Sequence, residues 1–203
     1  AGEGDKIRGV FSVGWAMGHS LTAIGIVALA PLVGPVYGYW THGKFAFDSG
    51  LFTWLGTAVV LRNWAAPFQI YLASINSLKS QLGVGLARGG GCLGISLALI
   101  QSKGIDGVGA GILAGEVAGA AVGWLASGVG LSANRTPYPH GAALRGLLQV
   151  FAVAGALAGL RLDGPLSLTI TLGALFCVLG IAVIQWRRLE PDLRKRIRGI
   201  LRF

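Results

Sequence analysis

Between Arg8 and Lys44 the chain runs for more than thirty residues without a single charged side chain, and between Arg88 and Lys103 for a further fourteen. Stretches of about 18 or more apolar residues are long enough to cross the hydrocarbon of a bilayer as a helix. In that medium every backbone N–H and C=O has to be paired inside the protein, which leaves helices and closed barrels as the only spanning structures. Barrel strands alternate apolar and polar residues and are about ten residues long. These segments are longer and uniformly apolar. They predict an all-α, polytopic transmembrane helical bundle.

Composition agrees. Of the 203 residues, 53% are hydrophobic and 12% are charged, about half the charged share of a soluble domain. The 34 glycines suit membrane helices, which tolerate glycine better than soluble ones.

Apolar runs and breakers give about six spans. They cover about Val10 to Tyr39, Gly50 to Leu78, Gly85 to Gln101, Val108 to Val129, Ala142 to Leu160 and Pro165 to Trp186, with ends good to ~2–4 residues. The first contains Pro31 and Pro35 and is expected to tilt or kink near its end. Short connections such as Ser102 to Asp106 make neighbours antiparallel. Residues 1–186 read as one membrane bundle and 187–203 as a basic tail.

The net charge of +9 does not point to nucleic acid. Seven basic residues fall in the last 17 positions, directly after an apolar span. Basic residues favour the cytoplasmic side of a membrane. With the tail inside, Lys6, Arg8, Lys79, Arg88, Arg135, Arg145 and the seven tail residues lie in the cytoplasm, against Lys44, Lys103 and Arg161 outside. Thirteen against three requires an even number of spans and both ends inside. In the tail, Leu189, Leu193, Ile197, Ile200 and Leu201 recur at helical spacing among arginines. Such a helix is expected on the inner leaflet, against anionic lipids.

Helix packing has its own signature. Gly111, Gly115, Gly119 and Gly123 recur every four residues in the fourth span, a ridge that lets two backbones approach closely. Gly89, Gly90, Gly91 and Gly94 of the third span offer a facing surface.

Ionisable groups within hydrocarbon normally face a partner or an aqueous cavity. Arg62 lies inside the second span, with Gln69 seven residues on and Asn76 seven further. Seven residues is nearly two helical turns, so the three are expected on one face, as the wall of a polar cavity. A guanidinium there can grip a diphosphate in a bidentate fork. The other reading of Arg62 is a side chain that snorkels to the interface or pairs with a carboxylate. Pro67, on the same helix, should kink it and free a carbonyl. Glu116, in the middle of the fourth span, reads as a proton or cation site, as the counter-ion of Arg62, or as a hydrogen-bonded packing group. His19 shares a thin polar stripe with Ser12 and Thr22. Tyr71, Ser74 and Gln149 are secondary candidates.

No enzyme signature is legible. The glycine-rich stretch from Gly83 to Gly94 lacks the following Lys-Ser/Thr of a phosphate loop, and no HExxH or nucleophile elbow occurs. Cys92 and Cys177 have no metal-ligand spacing, and no cofactor or metal is expected. Asn134-Arg135-Thr136 has the glycosylation spacing, but the charge distribution places it inside.

From Pro31 to about Trp124 the chain resembles the polysaccharide flippases of the exporter superfamily that includes the multidrug-and-toxin (MATE) exporters and the lipid II flippases. The likeness rests on Pro31-Leu-Val-Gly-Pro-Val-Tyr-Gly-Tyr-Trp40 with Lys44 and Asp48, and on Leu61-Arg62-Asn63-Trp64-Ala-Ala-Pro67-Phe-Gln-Ile-Tyr71. It continues through Ile75-Asn76-Ser77-Leu78-Lys79-Ser80-Gln81, Gly104-Ile105-Asp106-Gly107-Val108-Gly109 and Ile112-Leu-Ala-Gly115-Glu116. The resemblance implies two six-helix lobes, alternating access and a central cationic cavity for a polyprenyl-diphosphate glycan. Six spans then make one lobe, the C-terminal one, and leave the N-terminal lobe of the same protein as a partner. By resemblance Arg62, Gln69 and Asn76 line the cavity, Glu116 and His19 belong to it less directly, and H+ or Na+ is the coupling ion. A MATE-type exporter of cationic drugs and a non-transporting membrane scaffold are the alternatives. The location implied is a bacterial inner membrane.

Overall fold

The computed structural model describes residues 3–133, 136–162, 165–189 and 191–200. Asn134 and Arg135 of the sequon, and Leu201 and Arg202 of the tail, lie outside them. Helix α1 (Glu3–Val13) passes through a π-helical turn, Gly14–His19, into α2 (Ser20–Trp40). Then come α3 (Ser49–Ser74), α4 (Leu78–Lys103), α5 (Ile105–Ala133), α6 (His140–Gly159), α7 (Pro165–Arg187) and α8 (Pro191–Ile200). No strand occurs among the described residues.

Five helical stretches are long and apolar enough to cross a membrane: Gly9–Trp40, Leu78–Lys103, Ile105–Ala133, His140–Gly159 and Leu166–Arg187. The chain is therefore an all-α, multi-pass membrane protein. The second expected span, α3, is the exception. It is 26 residues long, but Arg62, Asn63, Gln69 and several Thr and Gly residues lower its hydropathy. Half of its residues are buried, whereas α4 buries only Val84. Protein rather than lipid surrounds much of α3, so it needs less apolar surface of its own. It packs against α5 on one side and α6 on another.

Local chemistry explains the joints. Asp48 caps α3, its carboxylate accepting from the Leu51 N–H at 2.9 Å, which satisfies one of the free donors of the first turn. Pro31 and Pro35 are held within α2. The departure from regular helix comes earlier than expected, at the π turn. A π turn admits one extra residue and rotates the helix beyond it. Here it lies against the Pro67 kink of α3: a Cβ on Gly14 would stand 3.1 Å from Pro67 Cγ. The Trp15 indole then donates to the Trp64 carbonyl at 2.9 Å, and the Trp64 indole donates to the Ala143 carbonyl at 2.8 Å. Phe68 sits between Trp15 and Trp64, with ring centroids 5.5 and 5.2 Å away. This aromatic cluster joins the first helix, α3 and α6, and each indole N–H is paired, as burial demands.

The glycine ridge of α5 packs on α4 as expected, but against different residues and in a shifted register. Cβ atoms on Gly107, Gly115 and Gly119 would meet the Leu99 carbonyl at 2.7 Å, the Arg88 carbonyl at 2.5 Å and Arg88 Cβ at 3.2 Å, and one on Gly111 would overlap Ser96 Oγ. Gly89, Gly90 and Gly94 face open space, and of the expected facing glycines only Gly91 packs on α5, where a Cβ would stand 3.2 Å from Gly115 Cα. Gly123 instead meets Phe68 and Val84.

Two further placements differ from expectation. Helix α4 begins at Leu78 rather than Gly85, so Arg88 lies ten residues, about 15 Å, inside it. The amphipathic tail is a separate helix, α8, and it touches the bundle: Leu193 Cδ1 is 3.2 Å from the Cβ position of Gly9.

Candidate functional site

Glu116 is the centre of the site. Its side chain is 7% exposed, on the buried side of α5. Two guanidiniums reach it from different helices. Arg88 Nε of α4 stands 3.0 Å from Oε2, and Arg62 Nη1 of α3 stands 3.8 Å from Oε1. Each of the three residues is at least about 15 Å of helix from either end of its own element. Removing such charges from water is expensive, and opposite charge recovers much of the cost.

The small residues of α5 allow the cluster to form. A Cβ on Gly119 would lie 3.3 Å from Arg88 Nε and 3.6 Å from Nη2. The arginine lies across the ridge where larger side chains would exclude it.

Two cations share one anion, and they share it unequally. Arg88 is 24% exposed and holds the shorter contact. Arg62 is 65% exposed and holds the longer one. It stands on the open face of α3, with Ala66 and Gln69 following at helical spacing. Its counter-ion is therefore largely committed elsewhere.

Gln69 lines a cavity of about 160 Å³ between α3 and α4, with Leu72, Gln81, Val84, Gly85 and Arg88. Gln69 Nε2 and Arg88 Nη2 are buried and have no hydrogen-bond partner there. Gln81 Nε2 donates to the Leu72 carbonyl at 3.3 Å.

Asn76 does not share the stripe. Helix α3 ends at Ser74, and Asn76 stands in the following turn with φ +50°. A non-glycine residue rarely adopts that conformation, and asparagine is among those that do. Its N–H bonds the Ala73 carbonyl at 3.0 Å and the residue is exposed. Seven-residue spacing placed it on the face of Arg62 only if the helix continued.

His19 also lies elsewhere. It is 1% exposed, at the end of the π turn, and Nε2 donates to the Gly146 carbonyl of α6 at 2.9 Å. Its neighbourhood is not the Ser12–Thr22 stripe. Thr22 bonds the Gly18 carbonyl of its own helix. Ser20 Oγ instead lies 3.0 Å from Gln185 Oε1 of α7 and accepts from Gln149 Nε2 of α6 at 3.1 Å. Gln149 also donates to the Val178 carbonyl at 3.2 Å. These groups tie α2, α6 and α7 together. Ser74 bonds the Tyr71 carbonyl at 2.7 Å, and Tyr71 packs in the aromatic core.

A second cavity, of about 420 Å³ and almost wholly apolar, opens between α5 and α6 with α3 as its floor; Leu61, Trp64, Val117, Trp124 and Phe151 line it. Among the described residues no three His, Cys, Asp or Glu side chains come together as metal ligands. Cys92 and Cys177 are unpaired.

Arg88 and Gln81 are the site residues that sequence reasoning left out. The signal was the α4–α5 hairpin. Counting outward from Gly104 along both arms brings Arg88 and Glu116 to within about a turn of each other.

No family model matches the chain, and no curated protein and no solved structure matches it either.

Proposed function

We propose that the chain is one lobe, the C-terminal one, of a flippase that moves polyprenyl-diphosphate-linked oligosaccharide across a bacterial inner membrane. The observation that carries this reading is Arg62, a mostly exposed guanidinium at least twelve residues from either end of α3, whose carboxylate partner is already engaged by Arg88. A guanidinium facing hydrocarbon alone would be strongly disfavoured. Water or a bound anion on that face removes the penalty, and a diphosphate offers oxygens in the geometry that guanidinium forks match. The second lobe would stand across the open face of α3, as two-lobe transporters are built. The sequence likeness supports the same assignment.

The remaining features agree with it. The chain moves its cargo without covalent chemistry. Twelve basic residues against three, once Arg88 is counted within the membrane, favour both ends in the cytoplasm. Helix α8 then rests on anionic lipid headgroups. Glu116 is the carboxylate through which H+ or Na+ would couple. A MATE-type exporter of cationic drugs fits less well, because Glu116 is engaged by two guanidiniums.

The test is Arg62→Ala in the parent protein, in cells whose surface glycan depends on it. Surface glycan should fall about tenfold or more, the scale of losing a charge-assisted contact, with membrane abundance unchanged. Undiminished glycan at normal abundance refutes the proposal.

A further inference from the structure

We propose that the α3–α4 cavity is an oxyanion site that receives the phosphoryl groups of a lipid-linked diphosphate. The proposal deepens the flippase reading and rests on it for the identity of the ligand, though not for its charge.

The donor set argues for an anion. Gln69, Gln81 and Arg88 line the cavity, and no carboxylate does. Gln69 Nε2 and Arg88 Nη2 are buried donors without acceptors. Leaving such groups unsatisfied is costly, so they mark a place where a partner is expected. The cationic member excludes metal ions and ammonium groups, whereas oxyanions accept from guanidinium and amide N–H alike.

Arg88 is oriented for this double duty. Its Nε edge is held by Glu116 at 3.0 Å, and Gly119 leaves room for the guanidinium to lie flat against α5. One ion pair thus holds the arginine in place while Nη2 has no hydrogen-bond partner. Arg62 holds only the longer contact, so of the two arginines Arg88 is the more firmly positioned.

Size and depth set the ligand class. About 160 Å³ holds several waters or a phosphoryl group or two, and is too small for an oligosaccharide. Gln81 lies three residues into α4 and Arg88 ten, so the donors span from about 5 to about 15 Å below the α3–α4 turn. A headgroup entering at the interface meets Gln81 first. Gly85, between them, leaves the entrance free of a side chain, with open space at its Cβ position.

The experiment uses the purified protein in neutral phosphatidylcholine nanodiscs, titrated with inorganic diphosphate, with a short polyprenyl diphosphate, and with phosphatidylglycerol added to the disc. Both diphosphates should bind, more weakly as salt rises. Gln69→Leu with Gln81→Leu, and separately Gly85→Phe, which fills the cavity without touching the ion pair, should each weaken binding about tenfold. Undiminished diphosphate binding by folded Gly85→Phe overturns the site. Phosphatidylglycerol competing as well as the polyprenyl diphosphate overturns the assigned ligand in favour of bulk phospholipid. Failure here with export still lost in Arg62→Ala leaves the flippase reading standing. Cavity-dependent binding with export intact in Arg62→Ala removes the flippase reading and keeps the oxyanion site.

Discussion

Arg88 Nε and Glu116 Oε2 stand 3.0 Å apart across the α4–α5 seam, closer than Glu116 comes to the arginine that sequence spacing singled out. The seam explains the preference. Glycines at 111, 115 and 119 bring the two backbones together, so Arg88 reaches the carboxylate directly, while Arg62 stretches from a third helix.

The two arginines should therefore differ in what their loss does to the fold. Arg88→Leu leaves a buried carboxylate with only a long contact, and should cost about 3–5 kcal/mol in unfolding from mixed micelles. Arg62→Leu removes a contact that solvent already screens and should cost under about 1 kcal/mol. Arg88→Leu with Glu116→Leu should restore much of the loss. Equal destabilisation by the two single variants would show that the pair is not ranked by distance.

The seam also separates glycines by function. A Cβ at Gly115 would meet the Arg88 carbonyl at 2.5 Å, so Gly115→Val should lower stability by about 1–3 kcal/mol through overpacking. Gly89 faces open space. Gly89→Ala should be neutral or stabilising by about 0.5 kcal/mol, since alanine loses less backbone freedom in a helix. Thermal unfolding of the two variants side by side distinguishes them.

Ser20 holds the polar junction of α2, α6 and α7. Ser20→Ala removes the partner of Gln185 Oε1 and of Gln149 Nε2. The expected cost is about 1–2 kcal/mol, the range of interhelical hydrogen bonds in membranes. Adding Gln185→Leu to Ser20→Ala should recover part of it, because no orphaned amide then remains on α7.

Tyr138, in the connection between α5 and α6, stacks with Trp124 and Phe68 at 6.3 and 6.2 Å. Burial pushes its phenol above the ordinary tyrosine range, against a smaller opposing effect of the Ser127 hydroxyl. The folded protein keeps a proton that the unfolded chain loses near pH 10. Stability contributed here is constant below that value and falls as pH rises above it. Tyr138→Phe should flatten part of the alkaline decline of the melting temperature. An unchanged decline would exclude Tyr138 as its source.

Much was decided by local sequence. The charge-free runs require helices, because unpaired backbone is not tolerated in hydrocarbon. The glycine repeat of α5 requires a close neighbour, and Arg62 and Glu116 mark charged points far from either end of their helices. Those inferences depend only on residue type and spacing along one helix.

Which groups meet was decided by the fold. Asn76 left the stripe because α3 stops at Ser74. His19 joined Gly146, with Ser20, Gln149 and Gln185 beside it, because a π turn rotated the first helix towards α6 and α7. Arg88 became the closer partner of Glu116 because the register of a hairpin set it there. Each of these depends on the relative position of separate helices, and helical periodicity carries no information across a turn.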